Sequence, residues 1–453
     1  MLGATLQAGG EFDEALKFFN RTIHSRPDFV DAYVSRASLL LALGRLGEAL
    51  DTYNRLLAIN KNAFEAWANR GVILDAMNRP EDALASYDRA LAIMPRAAEP
   101  HVNRGNVLEK LQRYSEAIAS YDSAIAIDPS RAEVRVNRGN VLRKLGQLED
   151  ALASYDQAIA IQPEFAEAHL SRALTLYEQH HLDEAIVGFD RALALRPAMA
   201  EAHLGRSRVL YAQRRLQAAL ASCAAALDVD PDAGSTWLHH SVLLTELARR
   251  DEALASAASA VELQPDHAGG HHQRACLLTM LRRFDESIGA FELAIRLDPH
   301  KAEVFADRAV TFEFLGRSAD AAADIAHSLA LAPEDNEVLY RVSFPERLHG
   351  QWHEGFQHYE SRLRTTDLCP PPCPRWHGEK AEGELLLLIG EQGVGDRIQF
   401  SCFVPGLAKQ GHRVAMLTDS ISAPLLRRLD GIERCSPTTP NCRTKGRCVG
   451  CRC

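Results

Sequence analysis

Three groups of residues could do chemistry. The first is GEQGVGD, Gly390 to Asp396, in which Gly390, Gly393 and Gly395 are interleaved with Glu391, Gln392 and Asp396. It follows the aliphatic run ELLLLIG and precedes DRIQFSCFVPGLAKQG, which reads as helical. In a strand-to-helix turn of this kind, backbone amides and the positive end of the helix meet an anionic or sugar ligand. The glycine spacing is not GxGxxG, and no Lys-Ser or Lys-Thr follows as in a phosphate-binding loop. Asp396 also suits a helix N-cap, where a carboxylate is favourable without any ligand.

The second group is a polar ladder. Asn69, Asn103 and Asn137 stand 34 residues apart, each directly before an arginine: Arg70, Arg104 and Arg138. The arginine row also holds Arg36, Arg172, Arg206, Arg274 and Arg308, with His240 replacing it once. A side-chain amide both donates and accepts, so a row of amides can read a peptide main chain regardless of its sequence. The arginines fit such a contact, and they equally fit pairing with Asp88, Asp122 and Asp156 of SYDRA, SYDSA and SYDQA. Later asparagine slots hold Ser171, Gly205, His239, Gln273 and Asp307, so residues 65 to 140 are the best-conditioned stretch.

The third group is the histidines and cysteines, from which no metal site and no cofactor are expected. His180–His181, His239–His240 and His271–His272 are adjacent pairs, and neighbours on a helix diverge by about 100°, too far to chelate one ion well. Cys435, Cys442, Cys448, Cys451 and Cys453 crowd the last residues, but only Cys448 and Cys451 have CxxC spacing and no histidine assists.

These residues need a scaffold, and the sequence supplies it by repetition. Pro95, Pro129, Pro163, Pro197, Pro231, Pro265, Pro299 and Pro333 fall 34 apart without an insertion. Small residues keep the same period through Gly71, Gly105, Gly139 and Ala173, and again through Ala83, Ala117, Ala151 and Ala185. Tyr53, Tyr87, Tyr121, Tyr155 and Phe189 recur between them. Each unit is therefore two helices: the small residue lets their backbones approach, the ring fills the adjoining gap, and proline stops the second helix. A single pair cannot bury its apolar face, so stacked pairs share a continuous core.

The totals agree with a helical array. The chain has 453 residues, 46% hydrophobic and 25% charged, and its net charge of −9 argues against general nucleic-acid binding. No apolar run approaches the roughly 18 residues that span a bilayer, and the first residues lack the basic and apolar segments of a signal peptide. A cytoplasmic location with no membrane contact is the expectation.

The 34-residue pattern resembles the tetratricopeptide (TPR) repeat. That resemblance implies an all-α superhelical solenoid of ten to eleven helix-turn-helix units over residues 1–365, whose concave wall, lined by the first helices, binds a peptide or protein segment. Met1 falls inside the first helix of the first unit, which is therefore short. The asparagine row is similar to the one with which O-linked N-acetylglucosamine transferases grip an extended polypeptide. A proline-rich linker is expected at 366–376, TTDLCPPPCPRW marking the end of the array.

From RWHGEK onward the chain resembles bacterial proteins in which TPRs are fused to a heptosyltransferase-like domain of the GT-B type. The likeness covers 374 to about 434 and implies a short, incomplete α/β Rossmann-like segment at 377–434. It implies Asp396 as general base for an acceptor hydroxyl, with Glu391, Gln392, Gly393 and Gly395 shaping the pocket. The donor half such an enzyme requires is missing from this sequence. The tail 435–453 has one aliphatic residue and no aromatic, so it is expected to build neither strand nor core, as an out-of-frame or truncated end would. Together these readings describe a protein-binding scaffold with a vestigial transferase segment. The alternatives are a truncated TPR-guided glycosyltransferase and self-association through an unpaired end face.

Overall fold

A computed structural model describes residues 12–359, 361, 385–389, 404–418, 426–430, 432–437 and 451–452. The chain divides into two units, Met1–Pro299 and His300–Cys453, and the division falls among the helices rather than at the proline-rich segment.

Through residue 359 the described chain is helix after helix in a fixed alternation. First helices have 13 residues, as in Phe64–Ala76, Ala98–Lys110 and Ala132–Lys144. Second helices have 14, as in Pro80–Ile93, Tyr114–Ile127 and Leu148–Ile161, except Trp352–Tyr359, described over 8. Each second helix ends two residues before the proline slot, because a residue preceding proline is pushed out of the helical region. The predicted interlock is present. A Cβ added to Gly71, Gly105 or Gly139 would lie 2.5, 2.5 or 2.6 Å from a ring atom of Tyr87, Tyr121 or Tyr155, and those three rings are fully buried.

Two periodic devices join the helices, and neither is announced by composition. The first is a left-handed residue after every first helix: Gly44, Gly146, Gly316 and Gly350, but also Asn78, Gln112, His180, Arg214, Ala248 and Arg282, all with φ between 57° and 85°. It lets two amides fold back on the ending helix, as where Gln112 N donates to Glu109 O and Arg113 N to Leu108 O. A side chain at positive φ costs about 1 kcal/mol relative to glycine. Ala248→Gly and Arg214→Gly are therefore expected to raise the thermal midpoint, each by about 0.5–1 kcal/mol of stability. A lowered midpoint for both in a thermal melt would contradict this.

The second device ties seven of the first helices to the carbonyl of the proline slot before them, which Lys61 fills once. Trp67 Nε1 donates to Lys61 O at 2.9 Å, Arg135 Nη1 to Pro129 O at 2.7 Å, and Trp237 Nε1 to Pro231 O at 2.8 Å. At the same slot Nε2 of His101, His169, His203 and His271 lies 2.8 to 3.0 Å from O of Pro95, Pro163, Pro197 and Pro265. Pairing satisfies the turn carbonyl, and three donor chemistries serve at this slot, whereas Phe305 and Leu339 offer no donor there.

Beyond the helices the described residues include strands β1 (Leu385–Ile389), β2 (Arg413–Thr418), β3 (Ile432–Pro437) and β4 (Cys451–Arg452), in the order β3-β2-β1-β4. β1 pairs in parallel with β2 and β4, and β2 with β3. A helix, Val404–Lys409, lies between β1 and β2 in the chain. This corrects the expectation for the tail: β3 runs past residue 434 to Pro437, and β4 lies wholly in the cysteine-rich end. A parallel ladder is made by main-chain groups, so an edge strand forms without the aliphatic side chains that the tail lacks.

Candidate functional site

The arginine row is placed by the 34-residue period on the flank of each first helix, sixteen residues from a second helix in either direction. Arg104 shows the pattern: Nε donates to Asp88 of the preceding unit at 2.7 Å, and Nη1 to Ser120 of its own unit at 2.6 Å. Arg138 does the same with Asp122 and Ser154, both at 2.7 Å, and Arg206 with Asp190 at 2.6 Å and Ser222 at 3.3 Å. Arg70 uses Asn54 at 2.9 Å and Ser86 at 2.5 Å, and Arg172 meets Asp156 at 2.7 Å. Where His240 replaces arginine, its Nδ1 still reaches the equivalent Ser256 at 2.9 Å. The guanidinia of Arg70, Arg104, Arg138 and Arg206 thus staple two successive second helices, with Nε and Nη1 directed at the array itself, whereas Arg172 is paired with Asp156, Gly188 standing where the serine would be. The carboxylates are about half exposed, so each staple is worth at most about 1 kcal/mol. Arg104 also borders a shallow cleft of about 270 Å³ with Asp88, His101 and Ser120.

The asparagines lie on the first helices, half-buried, each sixteen residues after a tyrosine of the preceding unit. Burial pushes the Tyr53 phenol up, with Ser38 and then Asn69 pulling against it. Asn137 Nδ2 donates to Asn106 Oδ1 at 3.2 Å, and the same oxygen accepts the Tyr121 hydroxyl at 2.8 Å. One unit on, the Tyr155 hydroxyl donates to Asn140 Oδ1 at 2.9 Å. Burial pushes these phenols up, Tyr155 to about 12, so they remain protonated donors. Asn106 and Asn140 thus extend the amide row. They escaped the sequence reading, although NRGN at 103–106 and 137–140 displays the second asparagine three residues after the first. Beside the amides, charges on neighbouring first helices pair off: Lys110 with Asp75 and Lys144 with Glu109, each at 2.7 Å.

The slot is occupied differently further along. Gly205 lies where any Cβ would approach Phe189 Cε1 to 2.4 Å, so loss of the tyrosine hydroxyl and loss of the amide go together. His239 places Nε2 3.0 Å from Ser207 Oγ, and burial pulls its imidazole down to about 4, leaving it neutral. His239 and His240 reach different helices, as adjacent helical residues must. Asp396, Glu391, Gln392, Gly393 and Gly395 lie outside the described residues.

Two family models match the chain. One, described as tetratricopeptide repeat, matches residues 1–64, 68–132 and 173–235, and the other, described as TPR repeat, matches 139–180; together they cover just under half of the chain. The matched residues carry tetratricopeptide repeats. No curated protein matches it. Similar solved structures include YrrB, titled a TPR protein with an unusual peptide-binding site, at 25% identity over 44% of this chain and 97% of that one, TM-score 0.36. MamA is 24% identical over 36% and 94%, TM-score 0.35. Pseudomonas aeruginosa pilF is 21% identical over 48% and 98%, TM-score 0.42. No family match falls on residues 377–434 of the TPR chain. Among its described residues no helix is long and apolar enough to cross a membrane.

Proposed function

We propose that this TPR protein is an interaction scaffold that holds an extended protein segment along the first helices of residues 64–144, in a cytoplasmic setting. The observation that carries the reading is the amide row Asn69, Asn103, Asn106, Asn137 and Asn140, placed on successive first helices beside ion pairs that cancel locally. An amide bonded to one tyrosine still has a donor or acceptor to offer a passing main chain. The neutral balance favours a ligand recognised by its backbone over a nucleic acid, which would need uncompensated cations. The arginines Arg70, Arg104, Arg138 and Arg172 are assigned to holding the second helices in register, with ligand contact secondary.

Replacing Asn69, Asn103 and Asn137 together with alanine is expected to weaken capture of an unfolded polypeptide at least tenfold, with the melting midpoint lowered only modestly by loss of the tyrosine contacts. Unchanged capture would remove the amide row from the site. A collapsed midpoint would make the row structural.

A second reading concerns residues 377–434, where β1 and β2 are parallel and the chain between them contains Val404–Lys409. That order is the one the glycosyltransferase resemblance implies, and we propose a vestigial, non-catalytic remnant of such a domain. Titration with a uridine diphosphate sugar is the test: no heat is expected, and measurable affinity would favour the TPR-guided transferase, with Asp396 the residue to replace next.

A further inference from the structure

Arg208 stands two units after Asn140, at the same slot of the first helix Ala200–Ala212. In the earlier units that slot is engaged from two sides. Asn106 Oδ1 accepts the Tyr121 hydroxyl of its own second helix and the Asn137 amide of the next first helix. Around Arg208 both partners have changed. Cys223 stands where the tyrosine would be, its buried thiol directed at Thr236 O at 3.6 Å. His239 stands where the next asparagine would be, and it is turned to Ser207 Oγ, 3.0 Å from Nε2. Arg208 is exposed, and among the described residues its guanidinium makes no hydrogen bond and no ion pair.

The rungs between neighbouring first helices change at the same place. Ion pairs join these helices at a 35-residue offset through Lys110–Asp75, Lys144–Glu109 and Arg143–Glu178, each at 2.7 Å. In the next two rungs Tyr177 and Tyr211 replace the charged residue; both are half-buried, and neither hydroxyl is hydrogen-bonded among the described residues. Tyr211 follows Arg208 by three residues, on the same helix face, and its ring lies edge-on to His239 with centroids 6.0 Å apart. Burial, and then the Arg208 charge, keep the His239 imidazole neutral, so it supplies no countercharge. The carboxylates of the adjoining helices are committed: Glu178 to Arg143, Asp190 to Arg206, and Glu246 to Arg214 at 3.3 Å. Glu201 lies two turns back along the same helix, about 10 Å away.

The structure assigns Arg208, flanked by Tyr177 and Tyr211, to an acidic side chain of the extended segment held along the first helices. This assignment rests on the amide-row reading of the groove and adds a side-chain requirement to it. A guanidinium offers only donors and a phenol can donate, whereas an ionised carboxylate only accepts, through two oxygens that suit a guanidinium fork. Beside the amides the charges cancel in pairs, but at Arg208 the cation is left over, and charge complementarity selects an anion. Two first-helix spacings of about 8–10 Å each, at about 3.3 Å per extended residue, put that carboxylate about five or six residues from the part of the segment on Asn137 and Asn140.

The test uses the full chain and two peptide pools of Ala, Ser, Thr and Gly in random order, identical except for a central Glu or Gln. Each peptide is acetylated and amidated so that no terminal charge remains, and is about sixteen residues long, enough to reach from the amides to Arg208. By fluorescence anisotropy with an uncharged label, the Glu pool is expected to bind about tenfold more tightly than the Gln pool, with the ratio shrinking as added salt screens the pair. Arg208→Gln should abolish the ratio while leaving binding of the Gln pool and the melting midpoint unchanged. Arg208→Glu should reverse the preference, favouring a pool with Lys at the centre. Equal affinity for the Glu and Gln pools, with both still weakened by alanine at Asn69, Asn103 and Asn137, overturns the Arg208 assignment and leaves the amide row standing. A ratio that survives in Arg208→Gln also overturns it, and binding of neither pool removes both readings.

Discussion

Arg308→Met is expected to cost about 3–5 kcal/mol, the loss that follows when one partner of a buried ion pair is removed. Asp324 is 8% exposed in its side chain and Arg308 16%, and two hydrogen bonds of 2.7 Å join them. Arg308 also lies over the rings of Phe305 and Phe312 at 5.7 and 5.4 Å, so the guanidinium face is covered as well as its edge. Without it, Asp324 must remain charged in an apolar setting or take up a proton at neutral pH, and both are unfavourable. Arg172→Met is the comparison: its partner Asp156 is 57% exposed, and the expected loss is under about 1 kcal/mol. Urea denaturation of the two variants side by side decides the matter. Equal midpoints would mean that the Arg308 pair is no stronger than the exposed staples.

The second large effect is steric. Gly105→Val places branched carbon where the first added atom already lies 2.5 Å from Tyr121 Cε1. Tyr121 is fully buried and donates its hydroxyl to Asn106, so the ring can yield only by losing that bond or by parting the two backbones. A cost of about 3 kcal/mol is expected. Tyr121→Leu alone removes a ring and leaves a void, at a loss of roughly 2–4 kcal/mol. Because the two changes act on one space, the double variant should be less damaged than the sum by at least about 1 kcal/mol. Strict additivity in a double-mutant cycle would show that Gly105 and Tyr121 do not share that space.

Much of the helical fold was legible because proline, small residue and aromatic recur at one spacing, and each has a single geometric use. The small residue and the ring were read as parts of one interlock, but that Tyr121 covers Gly105 itself came from the structure. The arginine staple was half legible: Asp88 and Asp122 were recognised as partners, but Ser120 and Ser154 were not, since serine in a helix usually carries no message. The left-handed row was hidden because six of its ten slots hold residues other than glycine. Tryptophan, arginine and histidine at the proline-carbonyl slot share no property except an N–H at the right reach. The strands in the cysteine-rich tail were missed because side-chain composition says little about a ladder built from the main chain.

The fixed spacing also bears on how the protein comes into being. Within residues 12–299 each helix finds its partners one or two helices away, so no segment waits for another made much later. Chains rich in such local contacts close short loops and fold quickly. Emerging from a ribosome, each pair can dock on the one already made, and the half-finished chain shows the solvent a single raw apolar edge at any moment. Protection from aggregation during synthesis is thus a by-product of the same period that sets the amide row.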